Sequence, residues 1–562
     1  MRTRTTTLYY IILTLVFALL SGETNAESMS IGSPCSKKKD NTYILKKSRD
    51  FESQVVLPNV TYIIRHNYDL RGAVVEIPDS CTLVFEGGKL CNGTISGCIR
   101  NASIESAWFE SDDDFVRSIA QLEGFEKLVF ENREYLLSTP LTIRTSCTVI
   151  GNGAVIKRID ATNDGSKQVL DICDPIDSLR VENLMFDGSV THNIIKLTAP
   201  KEVNRGLYIG NVKIVILQNV SIINFNIAPY DRQKKGREAL IKIEGFNRVY
   251  IDGLKMRNNR VDADAIWLLP CDMTGDTRDC IDFLNSDIDG RFWSALCCYG
   301  RMTFYNNTIR YSAGSALNCF CSNSRFEKNT FSKLLQSYVF DFSEKVDDPY
   351  HEPKNVVVTG NSITNSGCSL VRAVNGKNIE ITDNYVECST DRFTSRILDI
   401  PGCRDVKFSG NTIINARRLL TTDEEFRDHA ISNITITENV FRNDEDYETA
   451  VKGYIGLFSS ASNVVISDNI FDFQKAGNVI RFYNRGSKFQ DVRIEGNEFR
   501  CIQLNGDLIT NSIMDGGEQS EFTAVTIRHN TSTSRQKTSW TRTENTSKIE
   551  IINNTNFEIR EK

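Results

Sequence analysis

The chain has 562 residues, more than one compact core can comfortably organise, so either several domains or one elongated repeat must account for its length. Its 66 basic and 72 acidic residues give a net charge of −6, which offers no reason to expect a nucleic-acid or anionic-membrane partner. Glycine is plentiful at 34 residues, proline is scarce at 11, and no long Ser, Pro or Gln tract is present, which indicates a chain folded almost throughout.

Residues 1–26 have the three-part layout of a secretory signal. Two arginines precede an apolar run from Leu8 to Leu20, and small and polar residues follow up to Ala26. This run falls short of the ~20 apolar residues that span a bilayer, so we expect cleavage after Ala26 and no membrane span. The protein is therefore predicted to be exported to the periplasm, the cell surface or the extracellular medium.

The chain contains 16 cysteines, and export permits disulfides, but the cysteines are too sparse for a small disulfide scaffold. Cys271 and Cys280 bracket a polar loop and could pair. The alternative is that many of the cysteines are small apolar side chains that fill a narrow interior.

Residues 27–109 include the Gly-rich strand pattern VVEIPDSCTLVFEGGKLCNGTISG and are predicted to form either a small N-terminal β-module or extra coils. Residues 111–122 are predicted to form a short helix with Ser111 as N-cap and three Asp in its positive first turn. We expect this helix to cap the open end of a repeat structure over residues 110–562, because an uncovered end would expose strand edges.

One pattern returns from residue 180 onward: an alternating apolar strand, a polar turn that contains Asn, and a second short strand. Copies include VVVTGNSI, IEITDNYV, VKFSGNTI and VRIEGNEF. The recurring residues are Asn285, Asn307, Asn329, Asn361, Asn384, Asn411, Asn439, Asn469, Asn497, Asn530 and Asn554. Their spacing is 22 residues at its shortest, and strand-like units with a period of about 20–50 residues indicate a solenoid.

The local pattern favours a β-helix among the solenoids. Each copy has period-two alternation with β-branched residues and lacks a helical stripe or a Leu-rich consensus. Asn tolerates the left-handed backbone conformation of a sharp bend, and its amide can hydrogen-bond to the same Asn one coil above and below. We therefore predict that the residues from Asn307 to Asn497 stack in one line, with a structural role and not as ligands or glycan sites.

A third strand precedes each Asn motif, as in SALNCFC, SLVRAVNG, SRILDIPG and NVIRFYN. Three strands per coil predict an all-β, right-handed parallel β-helix with a short N-terminal capping helix. In these strands, and in LVFENREYLLSTPLTIRTSCTVIGNGAVIKR at residues 128–158, the chain resembles the secreted β-helix proteins of the pectin-lyase-like superfamily. The resemblance covers roughly residues 110–560 and implies a polysaccharide partner in a groove over the strand that precedes the Asn turn.

That strand offers three charged residues at matching places on successive coils: Asp341, Arg372 and Asp399. Counting back twelve residues from Asn384 and Asn411 gives Arg372 and Asp399. The same count from the Asn of three other coils gives Ala295, Leu317 and Leu457, which are therefore predicted to occupy the equivalent position in those coils. Charged side chains cannot face a dry interior without partners, so we expect the three to face outward. Carboxylates two coils apart approach the separation of an inverting glycosidase pair. An arginine between them suits instead an ion ladder on a solvated sheet, since a general acid needs a raised pKa.

The second candidate centre is the segment NNRVDADAIWLLPCD, where Asp262 and Asp264 share one face of a strand and Asp279 follows near the next coil. These positions resemble the paired Asp residues of polygalacturonase-type hydrolases. The pair could also hold a cation such as Ca²⁺, although no specific motif indicates one, or be an acidic loop in water. The Gly-His-Gly and Arg-Ile-Lys segments of that family have no match here, so the resemblance does not extend to its mechanism.

The alternative activity is a polysaccharide lyase. In such an enzyme Arg372 or Arg396 would neutralise a uronate carboxylate, and Tyr338 or Lys345 would abstract the adjacent proton.

Further residues are candidates for substrate binding. Tyr350 and His351 lie in a long connection that could form a groove wall. Trp267, Trp293 and Tyr299 could stack on sugars, although such aromatics more often pack in a core.

A third class is non-enzymatic, because a surface adhesin or a phage-type spike could use the same solenoid to bind glycans. Spikes are normally trimeric and lack a signal peptide, so the predicted signal counts against a spike, and we expect a monomer. Hydrolysis of a complex or uronate-containing glycan is the leading prediction, and the lyase and the glycan-binding protein are its alternatives.

Overall fold

The computed structural model describes residues 41–158, 168–189, 206–227, 239–261, 264–271, 280–335, 337–343, 351–389, 396–421, 429–448, 453–457, 459–484, 486–513, 520–540 and 549–561, and every structural statement below concerns these residues. From Tyr43 onward they belong to one unit of stacked coils. Strands of neighbouring coils pair in parallel and form three faces. This confirms the predicted right-handed parallel β-helix, since crossovers between parallel strands are right-handed.

Face 1 consists of the strands that precede the Asn turns. The register places the buried side chains of Val358, Ile381 and Phe408 side by side in three successive coils. The period-two alternation of the sequence therefore fills the interior layer by layer. The face 1 strands are Ser103–Glu105, Lys127–Val129, Cys147–Ile150, Ile176–Glu182, Val212–Gln218, Arg248–Asp252, Cys280–Leu284, Arg301–Tyr305, Ser324–Glu327, Lys354–Thr359, Lys377–Thr382, Arg404–Ser409, Ile431–Thr437, Ala461–Ser467, Lys488–Glu495, Glu521–Arg528 and Ile549–Ile552.

Face 2 consists of the strands that follow the Asn turns. Its inner side carries a stack of Phe441, Phe471 and Phe499, with ring centroids 5.1 and 4.9 Å apart. Stacked rings stabilise the interior beyond their burial alone. The face 2 strands are Glu134–Leu137, Val155–Arg158, Met185–Asp187, Ser221–Ile223, Asn226–Ile227, Lys255–Val261, Asp287–Phe292, Thr308–Ser312, Thr330–Leu334, Ser362–Ser366, Tyr385–Cys388, Thr412–Ile414, Val440–Glu448, Ile470–Ala476, Glu498–Leu504, Thr531–Trp540 and Thr555–Glu561.

Face 3 consists of the third strand of each coil. The side chains of Leu317, Phe340 and Val371 occupy equivalent inward positions in successive coils. The residue that follows each of them points out of the coil, as period two requires. The face 3 strands are Leu141–Thr142, Leu170–Ile172, Leu207–Gly210, Ala239–Phe246, Asp264–Pro270, Leu296–Tyr299, Leu317–Phe320, Tyr338–Asp341, Ser369–Arg372, Leu398–Asp399, Leu420–Thr421, Ile455–Leu457, Ile480–Asn484 and Ile509–Ile513.

The N-terminal strands also pair in parallel. Thr61–Ile64 pairs with Thr82–Phe85, and Val74–Glu76 pairs with Thr94–Cys98. Such pairing is that of coils and supports the extra-coil alternative, whereas the division of the chain at residues 26 and 109 stays a prediction. The remaining elements here are the strands Thr42–Ile44, Tyr68–Asp69, Leu90–Cys91 and Leu122–Glu123 and the helices Phe51–Gln54 and Ser106–Trp108.

The predicted capping helix spans Asp112–Ile119, and the Ser111 hydroxyl accepts a hydrogen bond from the Asp114 N–H as its N-cap. Its acidic first turn also caps a sheet edge. The Asp112 carboxylate accepts from the Leu136 N–H at 3.0 Å, and the Asp113 carboxylate accepts from the Ser138 N–H at 2.8 Å. These donors lie at the first strand of face 2, so the helix supplies the acceptors that an absent coil would otherwise provide.

The predicted Asn ladder is present. From Asn329 to Asn554, each stacked Asn receives hydrogen bonds on its Oδ1 from the backbone N–H and the Nδ2 of the Asn one coil earlier, as between Asn384 and Asn411 at 2.9 Å each. Each Nδ2 also donates to a face 1 carbonyl, as from Asn411 to Ile381. Asn411 is completely buried, so this amide column replaces water for the backbone groups of the turn.

The expectation that the stacked Asn themselves take the left-handed conformation was wrong. Positive φ belongs to the preceding residue, as at Asn306, Lys328 and Asp383. Asn285 is one of these preceding residues, and Ser286 takes the ladder position instead, because its N–H donates to Asn307. The stacked Asn is therefore selected for its amide, while the bend tolerates several residue types.

The cysteines support the interior-filling alternative, since those in the apolar interior are Cys81, Cys147, Cys298, Cys319, Cys321, Cys368, Cys388, Cys403 and Cys501. Cys271 is an exposed thiol, so the suggested Cys271–Cys280 disulfide is not formed in this structure. Within the described residues, no helix is both long and apolar enough to cross a membrane.

Candidate functional site

The strand register places the three charged candidates side by side on face 3. Asp341 pairs with Arg372, and Arg372 pairs with Asp399 in the next coil. The predicted vertical arrangement of these three residues is therefore confirmed. Parallel strands are about 4.8 Å apart, so the two aspartates on alternate coils are about 10 Å apart along the stack.

An offset of twelve residues from the Asn turn holds for Arg372 and Asp399 only, because Asp341 lies twenty residues before Asn361. The register continues upstream from Asp341 to Asn318 and Cys297, not to Leu317 and Ala295. Downstream it reaches Gly456, not Leu457. The reason is that insertions between the third strand and the Asn turn differ in length from coil to coil.

The trio is buried, contrary to the expectation of a solvated ladder. Asp341 and Asp399 each expose only 3% of their surface, although they leave the coil on its outer side. Arg372 keeps 19% of its side chain exposed. A surface ion ladder does not describe this arrangement, because removal of either partner would leave a charge with little access to water.

The trio belongs to a larger group that we name the acid–arginine cluster: Tyr338, Asp341, Arg372, Arg396 and Asp399. The Arg372 guanidinium lies 3.8 Å from the Asp341 carboxylate and 3.9 Å from that of Asp399. Arg396 lies 3.5 Å from Asp399 and also keeps 19% of its side chain exposed. Within the described part of the chain, the cluster combines two carboxylates with two guanidinium groups, and it reaches the surface through its arginines.

Tyr338 completes the cluster. Its hydroxyl donates a hydrogen bond of 2.7 Å to the Asp399 carboxylate, and the Arg372 guanidinium lies 5.4 Å from its ring centre. Burial first, and then the negative charge of Asp399, raise the pKa of Tyr338 well above its usual range. The phenol therefore keeps its proton at neutral pH and acts as a donor.

The same register defines what we call the outward line of face 3: Asp171, Tyr208, Lys242, Trp267, Cys297, Asn318, Asp341, Arg372 and Asp399. Seven steps of about 4.8 Å make the part from Tyr208 to Asp399 roughly 34 Å long. The line runs along the axis of the solenoid, and four of its members, Cys297, Asn318, Asp341 and Asp399, are buried.

A second polar group lies at the upstream end of this line. The Lys242 ammonium is 5.7 Å from the ring centres of both Tyr208 and Trp267 and pairs with Glu244 at 2.5 Å. Tyr208 donates a short hydrogen bond to Glu244. Trp267, predicted to bind substrate, is partly buried, and its Nε1 is a buried donor for which the described residues provide no acceptor. Such a donor costs about 1–3 kcal/mol if it stays unsatisfied.

The other predicted aromatics take different places. Tyr299 lies next to the outward line, and its ring packs on that of Phe320 at 4.7 Å. Trp293 is 45% exposed, at the corner between faces 2 and 3. Its indole rests on the backbone of Gly314, where an added Cβ would come within 3.0 Å of the ring. Next to it, the Ser294 hydroxyl accepts from the Asn318 amide at 3.0 Å, which connects this corner to the outward line.

The second candidate centre is only partly described. Asp264 begins the strand Asp264–Pro270 and is buried with 6% exposure, on the inward side together with Ile266. It is therefore not brought to the outward line. Asp262, Asp279, Lys345 and Tyr350 lie outside the described residues. His351 is partly buried, and no described contact brings it to the cluster.

No group of three or more His, Cys, Asp or Glu among the described residues is arranged to hold a metal ion. A cation such as Ca²⁺ at Asp262 and Asp264 stays one alternative for this pair, because Asp262 lies outside those residues.

Sequence reasoning missed Tyr208, Lys242, Glu244 and Asn318 as parts of the outer surface of face 3. Alignment from the Asn turn could not find them, because the distance to that turn varies. The buried residues Leu296, Leu317 and Phe340 could have served as the anchor instead, since one inward apolar residue precedes each outward position.

No family model and no curated protein matches the chain. Among solved structures, it is similar to the surface adhesin PfbA of Streptococcus pneumoniae, at 14% identity and a TM-score of 0.36, over 72% of this chain and 90% of that one. It is also similar to the A-module of the Azotobacter vinelandii mannuronan C-5 epimerase AlgE6, at 12% identity and a TM-score of 0.23, over 71% of this chain and 90% of that one. A third similar structure is the Dettilon tailspike protein, at 11% identity and a TM-score of 0.17, over 80% of this chain and 68% of that one.

Sequence identities and TM-scores this low carry no inference about the activity of the chain. The fold rests on the strand register of the chain itself, and membership of the pectin-lyase-like superfamily stays a prediction.

Proposed function

We propose that this protein is an exported, polysaccharide-active β-helix that binds an extended glycan along the outward line of face 3 and hydrolyses it at the acid–arginine cluster. The observation that carries the proposal is the register itself, which sets Tyr208, Lys242 and Trp267 on one axial line with Asp341, Arg372 and Asp399. Aromatic rings, charged groups and amides in one row offer both stacking and hydrogen bonds to successive sugars.

The hydrolytic step is assigned to Asp341 and Asp399. Their separation of about 10 Å along the stack lies just beyond the ~6.5–9.5 Å that leaves room for a water in inverting glycosidases. Arg372 lies between them within 4 Å of both, and its partly exposed guanidinium would contact the bound sugar. Asp262 and Asp264 remain the second candidate centre.

β-Elimination is less well supported than hydrolysis. A lyase needs a base that has lost its proton, and the raised pKa of Tyr338 keeps this phenol protonated while it donates to Asp399. A lyase also needs a cation to neutralise a uronate, and Arg372 and Arg396 already pair with carboxylates of this chain. Lys345, the other proposed base, lies outside the described residues.

A panel of neutral and acidic polysaccharides tests the activity. The purified protein is expected to release reducing ends from at least one of them, without the absorbance of unsaturated uronates. Release of unsaturated products would show a lyase, and binding without any product would show a non-catalytic glycan-binding protein. Failure to bind any glycan would refute the proposed function as a whole.

Export is tested at the N-terminus. We expect the native protein to begin at Glu27 and to be found outside the cytoplasm, because residues 1–26 have the layout of a cleavable signal. N-terminal sequencing of the protein purified from its source checks this. A native chain that retains Met1 would show that the signal prediction is wrong.

A further inference from the structure

Two cysteines lie side by side in the interior of face 3. The strands Leu296–Tyr299 and Leu317–Phe320 pair in parallel with Cys298 opposite Cys319, and both residues are completely buried. We propose that these two cysteines form a disulfide that links neighbouring coils when the exported chain folds. The proposal rests on the predicted export of the chain, because disulfides persist outside the cytoplasm, and it does not depend on glycan binding.

The strand register meets the first requirement of a disulfide, which is a short distance between the two backbones. Paired residues of neighbouring parallel strands are about 4.8 Å apart, inside the ~4.4–6.8 Å that separate the Cα atoms of bonded cysteines. Residues at paired positions also leave the sheet on the same side, and both cysteines belong to the apolar core. The bond therefore requires no change in the register of the coils.

The sulfur atoms form a small group below the outward line. The Cys298 Sγ lies 3.6 Å from the Met302 Sδ, and the Cys319 thiol interacts with the thiols of both Cys298 and Cys321. All three cysteines are thiols in this structure. The three sulfur atoms thus lie close enough together for two of them to bond without a rearrangement of the surrounding core.

The register favours Cys298 over Cys321 as the partner of Cys319. Cys298 and Cys319 are 21 residues apart in the chain, so their bond closes a loop of one whole coil, whereas Cys321 is only two residues from Cys319. A longer loop restricts the unfolded chain more and therefore gains more stability from the bond. Cys321 also lies beyond the end of the strand Leu317–Phe320 and has no paired position there.

Burial determines when the bond forms. Burial raises the pKa of Cys298, and it raises the pKa of Cys319 well above its ordinary value. Only a thiolate attacks a disulfide, so completely buried thiols exchange very slowly. The reaction therefore takes place while the two coils are still open, and the finished fold protects its product from reduction.

The oxidant is a disulfide carrier of the compartment that receives the chain, either a small molecule or a protein. The thiolate of one cysteine attacks a sulfur of the carrier disulfide, forms a mixed disulfide and releases one carrier thiolate. The second cysteine thiolate attacks the cysteine sulfur of the mixed disulfide and releases the other carrier thiolate. Two protein thiols have then lost two electrons and two protons, and the carrier has gained them as two thiols.

Peptide mapping of the protein purified from its source tests the bond. The chain is unfolded in N-ethylmaleimide without reductant and digested with trypsin, which leaves Cys298 in residues 292–301 and Cys319 in residues 311–325. We expect mass spectrometry to find these two peptides as one linked species that separates on reduction. Recovery of both peptides with every cysteine labelled would overturn the proposal, and so would an internal bond between Cys319 and Cys321.

Cysteine variants assign the bond within these peptides. Cys297→Ser and Cys321→Ser are expected to keep the linked species, whereas Cys298→Ala should abolish it. Cys403→Ala is the matched control, because it removes an equally buried thiol from another coil and should leave the link intact. A link that survives in Cys298→Ala would overturn the assignment. Where a variant does not accumulate, the fragment ions of the wild-type linked species distinguish the same residues.

The disulfide and the proposed function fail separately. Labelled thiols in a protein that releases reducing ends from a polysaccharide would overturn the disulfide alone. Linked peptides in a protein that binds no glycan of the panel would support the disulfide and refute the proposed function.

Discussion

Replacement of Asp341 or Asp399 by Asn is expected to lower polysaccharide turnover at least ~100-fold, the usual scale for the loss of a group in acid–base catalysis. Both carboxylates lie beside Arg372 on the outward line, where a glycan would pass. Asn is nearly isosteric and retains an oxygen that accepts the Tyr338 hydrogen bond to position 399. The loss should therefore appear in kcat more than in folding, and initial rates on the best substrate of the panel measure it.

The control for this result is Asp289→Asn, which changes an exposed carboxylate on face 2 and should retain full turnover. Arg372→Ala adds a second comparison. In a hydrolase it should chiefly weaken binding and raise KM, whereas in a lyase it should abolish activity on uronates. Full activity in both aspartate variants would move the reacting centre to Asp262 and Asp264 or leave a glycan-binding protein without catalysis.

Stability alone does not distinguish the functional from the structural interpretation of this cluster. Asp341 and Asp399 are 3% exposed, so their replacement by Ala would strand the arginines with little water. Breaking a buried pair costs about 3–5 kcal/mol whether or not the pair is catalytic. Turnover of the glycan therefore decides the question.

The Asn411→Leu variant is expected to lose about 3–5 kcal/mol of unfolding free energy, since each buried polar group left unpaired costs about 1–3 kcal/mol. Asn411 is completely buried, and its Oδ1 accepts from the backbone N–H and the Nδ2 of Asn384. Its Nδ2 donates to Ile381 and to the Oδ1 of Asn439. Leucine fills a similar volume but satisfies none of these groups. Thermal melting followed by circular dichroism measures the effect.

A second, exposed amide ladder provides the matched control. The Asn378 Nδ2 donates to Asn355 at 2.9 Å, but both residues are exposed, so water can replace the bond. Asn378→Ala should cost no more than about 1 kcal/mol, which includes its left-handed φ of 56°. Equal melting temperatures for Asn411→Leu and the wild-type protein would show that the buried ladder adds no stability.

Much of the fold follows from local sequence signals. Alternation in segments such as VVVTGNSI indicates which residues of face 1 are buried, because side chains alternate across a strand. The repeated Asn indicates a shared turn, since a buried amide column needs the same residue in every coil. Ser111 and the acidic turn after it locate the capping helix Asp112–Ile119. Each of these signals depends on residues that are close together in the chain.

The site was less accessible to sequence reasoning, since it depends on register between coils of unequal length. Asp341, Arg372 and Asp399 could be aligned because each is a charge in an otherwise apolar strand. Asn318 and Lys242 could not, because loops of different length separate their strands from the nearest Asn turn. A shift of one residue is enough to exchange an outward position for an inward one.

The sequence by itself determined the solenoid, its parallel coils, its Asn ladder and its capping helix, because period-two alternation and turn chemistry act over a few residues. Only the tertiary structure decided that the charged trio is buried and not solvated, that Tyr338 and Arg396 join it, and that Ser286 replaces Asn285 in the ladder. The physical reason is that burial and ion pairing arise between groups far apart in the chain, and their positions depend on how every intervening coil is stacked.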